Sequence, residues 1–140
     1  MRSPDEIARF CADAMWAEDS ACQALDMRVL EVRAGYARMD MGVTEKMVNG
    51  HGTCHGGYIF TLADSAFAFA CNNRNNLSVA LDTSINFLKP VHVDDVLTAE
   101  ATEIHNGRTT GLYQIRVINQ HDHLVALFKG NCFRTGKPLI

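Results

Sequence analysis

The sequence predicts an α+β fold in which an antiparallel sheet curls around one long central helix. Three observations carry this. The segment Gly56–Cys71, GGYIFTLADSAFAFAC, is apolar nearly all round with Asp64 as its single charge, and a helix apolar on every side must be enclosed. Strand-like segments lie on both sides of it. In two of them Leu97, Ala99 and Ala101, and then Tyr113, Ile115 and Val117, alternate with polar residues, so one sheet face is buried. Successive strands are joined by turn signals rather than by helices, which argues hairpins and an antiparallel sheet.

Each element follows from local chemistry. Ser3-Pro4-Asp5-Glu6 opens an N-terminal helix over about residues 4–17: Ser3 caps it, Pro4 suits its first position and Glu6 completes a capping box. Ile7, Phe10, Cys11, Ala14 and Met15 then give that helix a face to lay on the body. AEDSACQALDM continues as a short helical turn that Asp19 or Ser20 can cap. RVLEVRAG and YARMDMGV flank Ala34-Gly35 as a hairpin. After the long helix come VALDTSINFLK, VLTAEATEIH, TGLYQIRVIN and LVALFKGNCFR, with Asn106-Gly107 and then NQHDH marking turns between them. The 140 residues are expected to form one domain, 1–140, in the usual size range of about 100–150 residues.

Composition excludes several classes of function. A net charge of −3 with no basic cluster gives no electrostatic case for a nucleic-acid partner. The five cysteines are odd in number and contain no CxxC pair, which fits reduced thiols in a cytoplasmic protein. Acids interrupt the N-terminus, so no signal peptide is read there. The longest apolar stretch, 58–71, is shorter than the roughly 20 residues of a membrane span and contains Asp64. No cofactor is expected.

Asp64 is the residue that asks for an explanation. An isolated buried carboxylate is costly unless it is hydrogen-bonded or its pKa is raised. It either caps or pairs with a neighbouring element, or it is a catalytic carboxylate tuned by burial. The lead-in HGTCHGG places Gly52, Gly56 and Gly57 before or within the first turn of the helix, where each costs about 1 kcal/mol of helix propensity relative to Ala. Glycines there let backbone N–H groups without internal partners approach a ligand closely. Aimed at a carbonyl, such donors form an oxyanion hole reinforced by the helix dipole. Asp64 follows about two turns later on the same face, an arrangement suited to hydrolysis of an acyl compound. His51, Cys54 and His55 offer only three clustered ligands in a glycine-broken segment, so no metal site is expected. Cys54 beside His55 is an alternative nucleophile pair, although sequence neighbours seldom make the required hydrogen bond. His121 and His123 decorate a turn, while His92 and His105 stand alone.

The segment NGHGTCHGG…LADSAFAFACN, together with INFLKP and VALFKG, closely resembles the hotdog-fold acyl-CoA thioesterases of the phenylacetate-degradation (PaaI) type, from about Cys22 to Arg134. The resemblance implies a helix wrapped by an antiparallel sheet, a dimer with one continuous sheet, two active sites at the dimer interface and pairing of dimers into tetramers. It implies Asp64 as catalytic carboxylate, acting as general base or nucleophile, and Gly56 as the backbone donor to the thioester carbonyl. His55, Asn49 and Gly57 line the site on this view. Tyr58, Phe60 and Phe67 are available for the acyl pocket, though their default role is core. Lys89 and Arg108, with Lys129, are candidates for the CoA phosphates, each otherwise an ordinary surface residue. Where relatives often carry an Asn followed by an Asp, this chain has Asp19-Ser20. The implied activity is hydrolysis of an aryl- or arylacetyl-CoA such as hydroxyphenylacetyl-CoA. A hotdog dehydratase or hydratase and a non-catalytic acyl-CoA-binding regulator are the rivals.

Overall fold

A computed structural model describes residues 1–140. The chain opens with α1 (Pro4–Glu18), whose Ser3 Oγ accepts the Glu6 N–H at 3.1 Å while the Glu6 carboxylate accepts the Ser3 N–H at 3.0 Å. Its buried stripe is Ala8, Cys11 and Ala12, narrower than the Ile7–Phe10–Cys11–Ala14–Met15 face read from the sequence. The small side chains let α1 lie close on the first strand. Phe10 turns outward instead and carries the Arg2 guanidinium 4.0 Å above its ring. Asp19 caps α2 (Ser20–Ala24) by accepting the Cys22 N–H at 3.0 Å.

Strands β1 (Arg28–Arg33) and β2 (Tyr36–Gly42) form a hairpin whose Gly35 sits at φ +75°, a conformation that glycine adopts without steric cost. The central helix α3 (Gly56–Asn72) follows, and then β3 (Ser78–Phe87), β4 (Val96–Asn106), β5 (Thr110–Ile118) and β6 (Leu124–Arg134). All neighbours are antiparallel, in the order β1-β2-β4-β5-β6-β3. The chain therefore leaves β2, crosses the concave face as α3, emerges at the far edge as β3 and returns to fill the middle with β4. That crossing is why α3 touches every strand of the sheet.

The core confirms the enclosure expected of an all-round apolar helix. Leu62, Ala63, Ala66, Phe67, Phe69 and Ala70 of α3 are buried against Met39, Leu97, Tyr113, Ile115 and Phe128 of the sheet. At Gly130 a Cβ would stand 2.8 Å from the Phe67 ring, so this glycine sets how closely helix and sheet approach. Phe67 belongs to that core, tilted on Tyr113 and Phe128, and is not available to line an acyl pocket; Phe60 packs edge-on against Phe128.

Strand β3 ends at Phe87, two residues before the sequence suggests, because Leu88 and Lys89 both turn their N–H groups to the Val125 carbonyl (2.8 and 3.3 Å) ahead of Pro90. The turn at Asn106-Gly107 is longer than a two-residue hairpin loop. Asn106 pairs with Gly111, and the Gly107 N–H closes on the Thr110 carbonyl at 2.8 Å.

The C-terminal end of α3 is fastened by groups that local sequence pattern does not single out. Arg134, almost fully buried, donates to the Cys71 carbonyl (3.0 Å), Ser78 Oγ (3.1 Å) and the Tyr113 hydroxyl (2.8 Å). Asn73 bridges to the β1–β2 turn, donating to the Arg33 and Tyr36 carbonyls and accepting the Gly35 N–H. With that end fixed, the N-terminal end of α3 is the one that meets a cavity.

Candidate active site

The loop between β2 and α3 is built to present the helix start. Asn49 Oδ1 accepts the N–H of His51 (2.9 Å), the N–H of Thr53 (3.3 Å) and the Thr53 hydroxyl (3.2 Å). The Cys54 N–H reaches the Val91 carbonyl and the His55 N–H the Met47 carbonyl, both at 2.7 Å. His55 is thereby placed as the N-cap of α3, where its Nδ1 accepts the Gly57 N–H at 3.0 Å. Ordinary capping residues are Ser, Thr, Asp and Asn, so nothing in the residue type announced this role.

The consequence is a division between the two glycines. Gly57 has its N–H occupied by His55, whereas the Gly56 N–H donates to nothing in the chain. Gly56 lines a cavity of about 520 Å³ together with Cys54, Ile59, Phe87, Lys89 and Val91. An unpaired N–H at the positive end of a 17-residue helix is a preformed donor for an oxyanion. Replacing His55 by Ala should cost about 1 kcal/mol of stability, as loss of a cap does, with a smaller effect on turnover than changes at Gly56. Chemical denaturation and steady-state rates check this together.

Asp64 stands on the half-buried side of α3, and burial raises its pKa above the ordinary carboxylate value. It lies next to the point where α2 meets α3, at which Cys22 Sγ donates to Ser65 Oγ (3.3 Å) and Ser65 Oγ in turn donates to the Thr61 carbonyl (2.7 Å). Burial first, and then the nearby carboxylates of Asp19 and Asp64, push the Cys22 thiol up to about 11.

The same-face relation of Asp64 to the glycines does not bring carboxylate and free donor together within one chain. Gly57 shares the Asp64 face, but its N–H is taken. Gly56 is rotated from that face by about 80° and lies about 12 Å along the axis. Asp64 does not line the Gly56 cavity.

Other candidates are placed as follows. Lys89 lines the Gly56 cavity. Tyr58 instead borders a separate cavity of about 630 Å³ with Leu25 and Met47. Arg108 sits in the β4–β5 turn at the other end of α3, since the following Thr109 accepts the Arg134 N–H and Arg134 binds Cys71. Some 15 residues of helix, about 22 Å, separate that end from Gly56. Lys129 is exposed on the outer sheet face. Asn49, whose side-chain oxygen ties down the loop, holds the site's frame. Cys54 is buried with its thiol pushed up by that burial, and it donates to the His55 carbonyl rather than to the His55 ring. No group of three or more His, Cys, Asp or Glu side chains is arranged to hold a metal ion. Phe87, absent from the residues the sequence suggested, lies directly over Gly56.

A six-stranded antiparallel sheet wrapped around one long helix, with an open donor at the helix start and a half-buried carboxylate two turns on, defines a hotdog-fold hydrolase. Residues 51–126 match the thioesterase superfamily, and the chain belongs to that family. Within it, the chain is 44% identical to the acyl-coenzyme A thioesterase PaaI of Escherichia coli (strain K12), an alignment covering 89% of each protein. The structure of the E. coli PaaI protein from the phenylacetic acid degradation operon superposes with a TM-score of 0.95 at 42% identity, covering 97% of this chain and 99% of that one. The smu.793 protein of Streptococcus mutans UA159, solved bound to acetyl CoA, superposes with a TM-score of 0.77 at 33% identity over 80% of this chain and 90% of its own.

Proposed function

We propose that this protein hydrolyses acyl-CoA thioesters, with an aryl or arylacetyl group such as hydroxyphenylacetyl as the preferred acyl part. The observation that carries the proposal is the unpaired Gly56 N–H at the start of α3, beside a cavity and on the same helix as a carboxylate that burial has raised. Bound there, the thioester carbonyl accepts the Gly56 hydrogen bond. The oxygen's negative charge, which builds only during attack, is then stabilised more than the ground state. The CoA sulfur departs as a thiolate, which is far less basic than an alkoxide and leaves without protonation, so no acid is needed on its side. Lys89 stands where the CoA chain would enter and supplies a positive charge for its phosphates.

Asp64 acts on the carbonyl carbon in one of two ways. As general base it takes a proton from water, whose oxygen adds to the carbon as the C–S bond breaks. As nucleophile it adds directly, and water then cleaves the resulting anhydride. A single turnover in ¹⁸O water tests the second route: where water attacks the anhydride at the Asp64 carbonyl, label enters the Asp64 carboxylate, which general-base catalysis never labels.

Because Asp64 and the free donor face different ways in one chain, the complete site takes Gly56 from one protomer and Asp64 from another. Strand β3 supports such an assembly. It is an edge strand with Val79, Leu81 and Phe87 each more than half exposed, and unpaired apolar edges invite pairing with a second copy. A homodimer sharing one sheet, or a dimer of such dimers, covers this edge. A thiol-release assay on a panel of acyl-CoAs tests the whole reading. Release from phenylacetyl-CoA and its ring-hydroxylated forms exceeding release from short straight-chain acyl-CoAs supports it, and no release from any member overturns it. No helix of the chain is long and apolar enough to cross a membrane.

A further inference from the structure

Phe87 and Gly56 are a matched pair. A Cβ on Gly56 would stand 2.9, 3.2 and 3.4 Å from Cζ, Cε1 and Cε2 of the Phe87 ring, so the ring fills the space that any side chain at position 56 would need. Phe87 is the last residue of edge strand β3 and lines the same cavity as Gly56 and Lys89. In the single chain it is 53% exposed. Beside the ring lies the Gly56 N–H, which has no partner in the chain.

We propose that Phe87 is the specificity-determining residue of this site: its ring is the wall against which a thioester seats to reach the Gly56 N–H, and position 56 is glycine to admit that ring. Resting on the acyl-CoA reading above, this adds what the wall selects. A ring seated directly on a residue without a Cβ leaves no room between the two, so the thioester reaches the N–H along the rim of the ring, with an unbranched CH₂ as its α-carbon. A methyl branch on that α-carbon meets the ring. The ring also screens the N–H from water, which strengthens it as a donor to developing charge. A methyl group at position 56 pushes the ring off its seat and into the path of the thioester, so Gly56→Ala acts through Phe87.

Two measurements test this. The first compares kcat/KM for phenylacetyl-CoA with that for its α-methyl analogue, 2-phenylpropionyl-CoA. One methyl group against a tight wall is worth about 10–200-fold. The preference of the unmodified protein for the unbranched substrate should fall by about tenfold or more in Phe87→Ala; an unchanged ratio overturns the assignment. The second is a double-mutant cycle read by calorimetric binding of the phenacyl thioether of CoA, which cannot be hydrolysed, and by kcat. Gly56→Ala should weaken both, yet Gly56→Ala/Phe87→Ala should match Phe87→Ala alone. Gly56→Ala/Phe87→Tyr, which keeps the ring, should stay as impaired as Gly56→Ala. Losses that multiply in the first double variant overturn the pairing. If no acyl-CoA is hydrolysed, the catalytic reading falls, while the binding cycle still decides the role of Phe87.

Discussion

Replacing Asp64 by Ala should lower turnover by about 10²-fold or more and leave the protein folded, because a positioned base contributes typically 10²–10⁴ to rate. A structural carboxylate would behave in the opposite way. Its removal would orphan the groups that bound it, whereas the pKa of Asp64 is raised by burial alone, with no compensating donor. Linkage fixes the sign. A folded-state pKa above the unfolded value means that the native state holds the proton more tightly. The destabilising contribution of Asp64 is therefore absent at low pH and grows as pH rises from the ordinary carboxylate value through the raised one. Asp64→Asn should accordingly be more stable than the parent at neutral pH, with the difference vanishing in acid. Thermal melts across pH and thioesterase rates on both variants decide the matter. An Asp64→Asn protein less stable than its parent at pH 7 would make the residue structural. The acid limb of kcat/KM should likewise lie above the ordinary Asp value of about 3.9, since the ionised form does the work.

Mixing two inactive variants should restore activity. Asp64→Ala and Gly56→Ala each disable every site in their own homodimers if one site combines Gly56 of one protomer with Asp64 of another. A hybrid dimer then gathers both lesions in one site and leaves its other site unaltered. Random exchange makes half the dimers hybrids, each with one of two sites intact, so activity should recover to roughly a quarter of the parent's. Were both groups drawn from the same chain, every site in the hybrid would carry one lesion and the mixture would stay as inactive as its components. Co-expression with two affinity tags and isolation of the hybrid provides the measurement. Light scattering on the parent protein should show a dimer or tetramer at micromolar concentration, and a stable monomer would remove the basis for a shared site.

Much of this was legible without coordinates because the relevant physics is local. An apolar helix with no polar face has to be wrapped, and hairpin-linked alternating strands are what can wrap it, so Gly56–Cys71 and the segments after it specify the α+β architecture. The Ser3–Glu6 capping box starts α1 from four residues alone. Asp64 stands out because a charge in an enclosed helix is expensive wherever the rest of the chain goes. The glycines mark the start of α3 as a place where donors are left over.

Tertiary structure decided what depends on direction and distance. Sequence spacing put Asp64 and the glycines on one face, yet His55 takes the Gly57 N–H and leaves the free donor on Gly56, turned away and about 12 Å distant along the axis. Tyr58 and Gly56 are two residues apart but border separate cavities, since successive helix positions differ by about 100°. Arg108 and Lys89, equal as cations in the sequence, fall at opposite ends of the helix because β4–β5 turns back where α3 ends. Phe87, 31 positions beyond Gly56, reaches it only because the chain crosses the sheet as α3 and returns along the far edge as β3. Periodicity reports which way a side chain points along its own element; which groups meet is set by long-range strand pairing, and the site is assembled from those meetings.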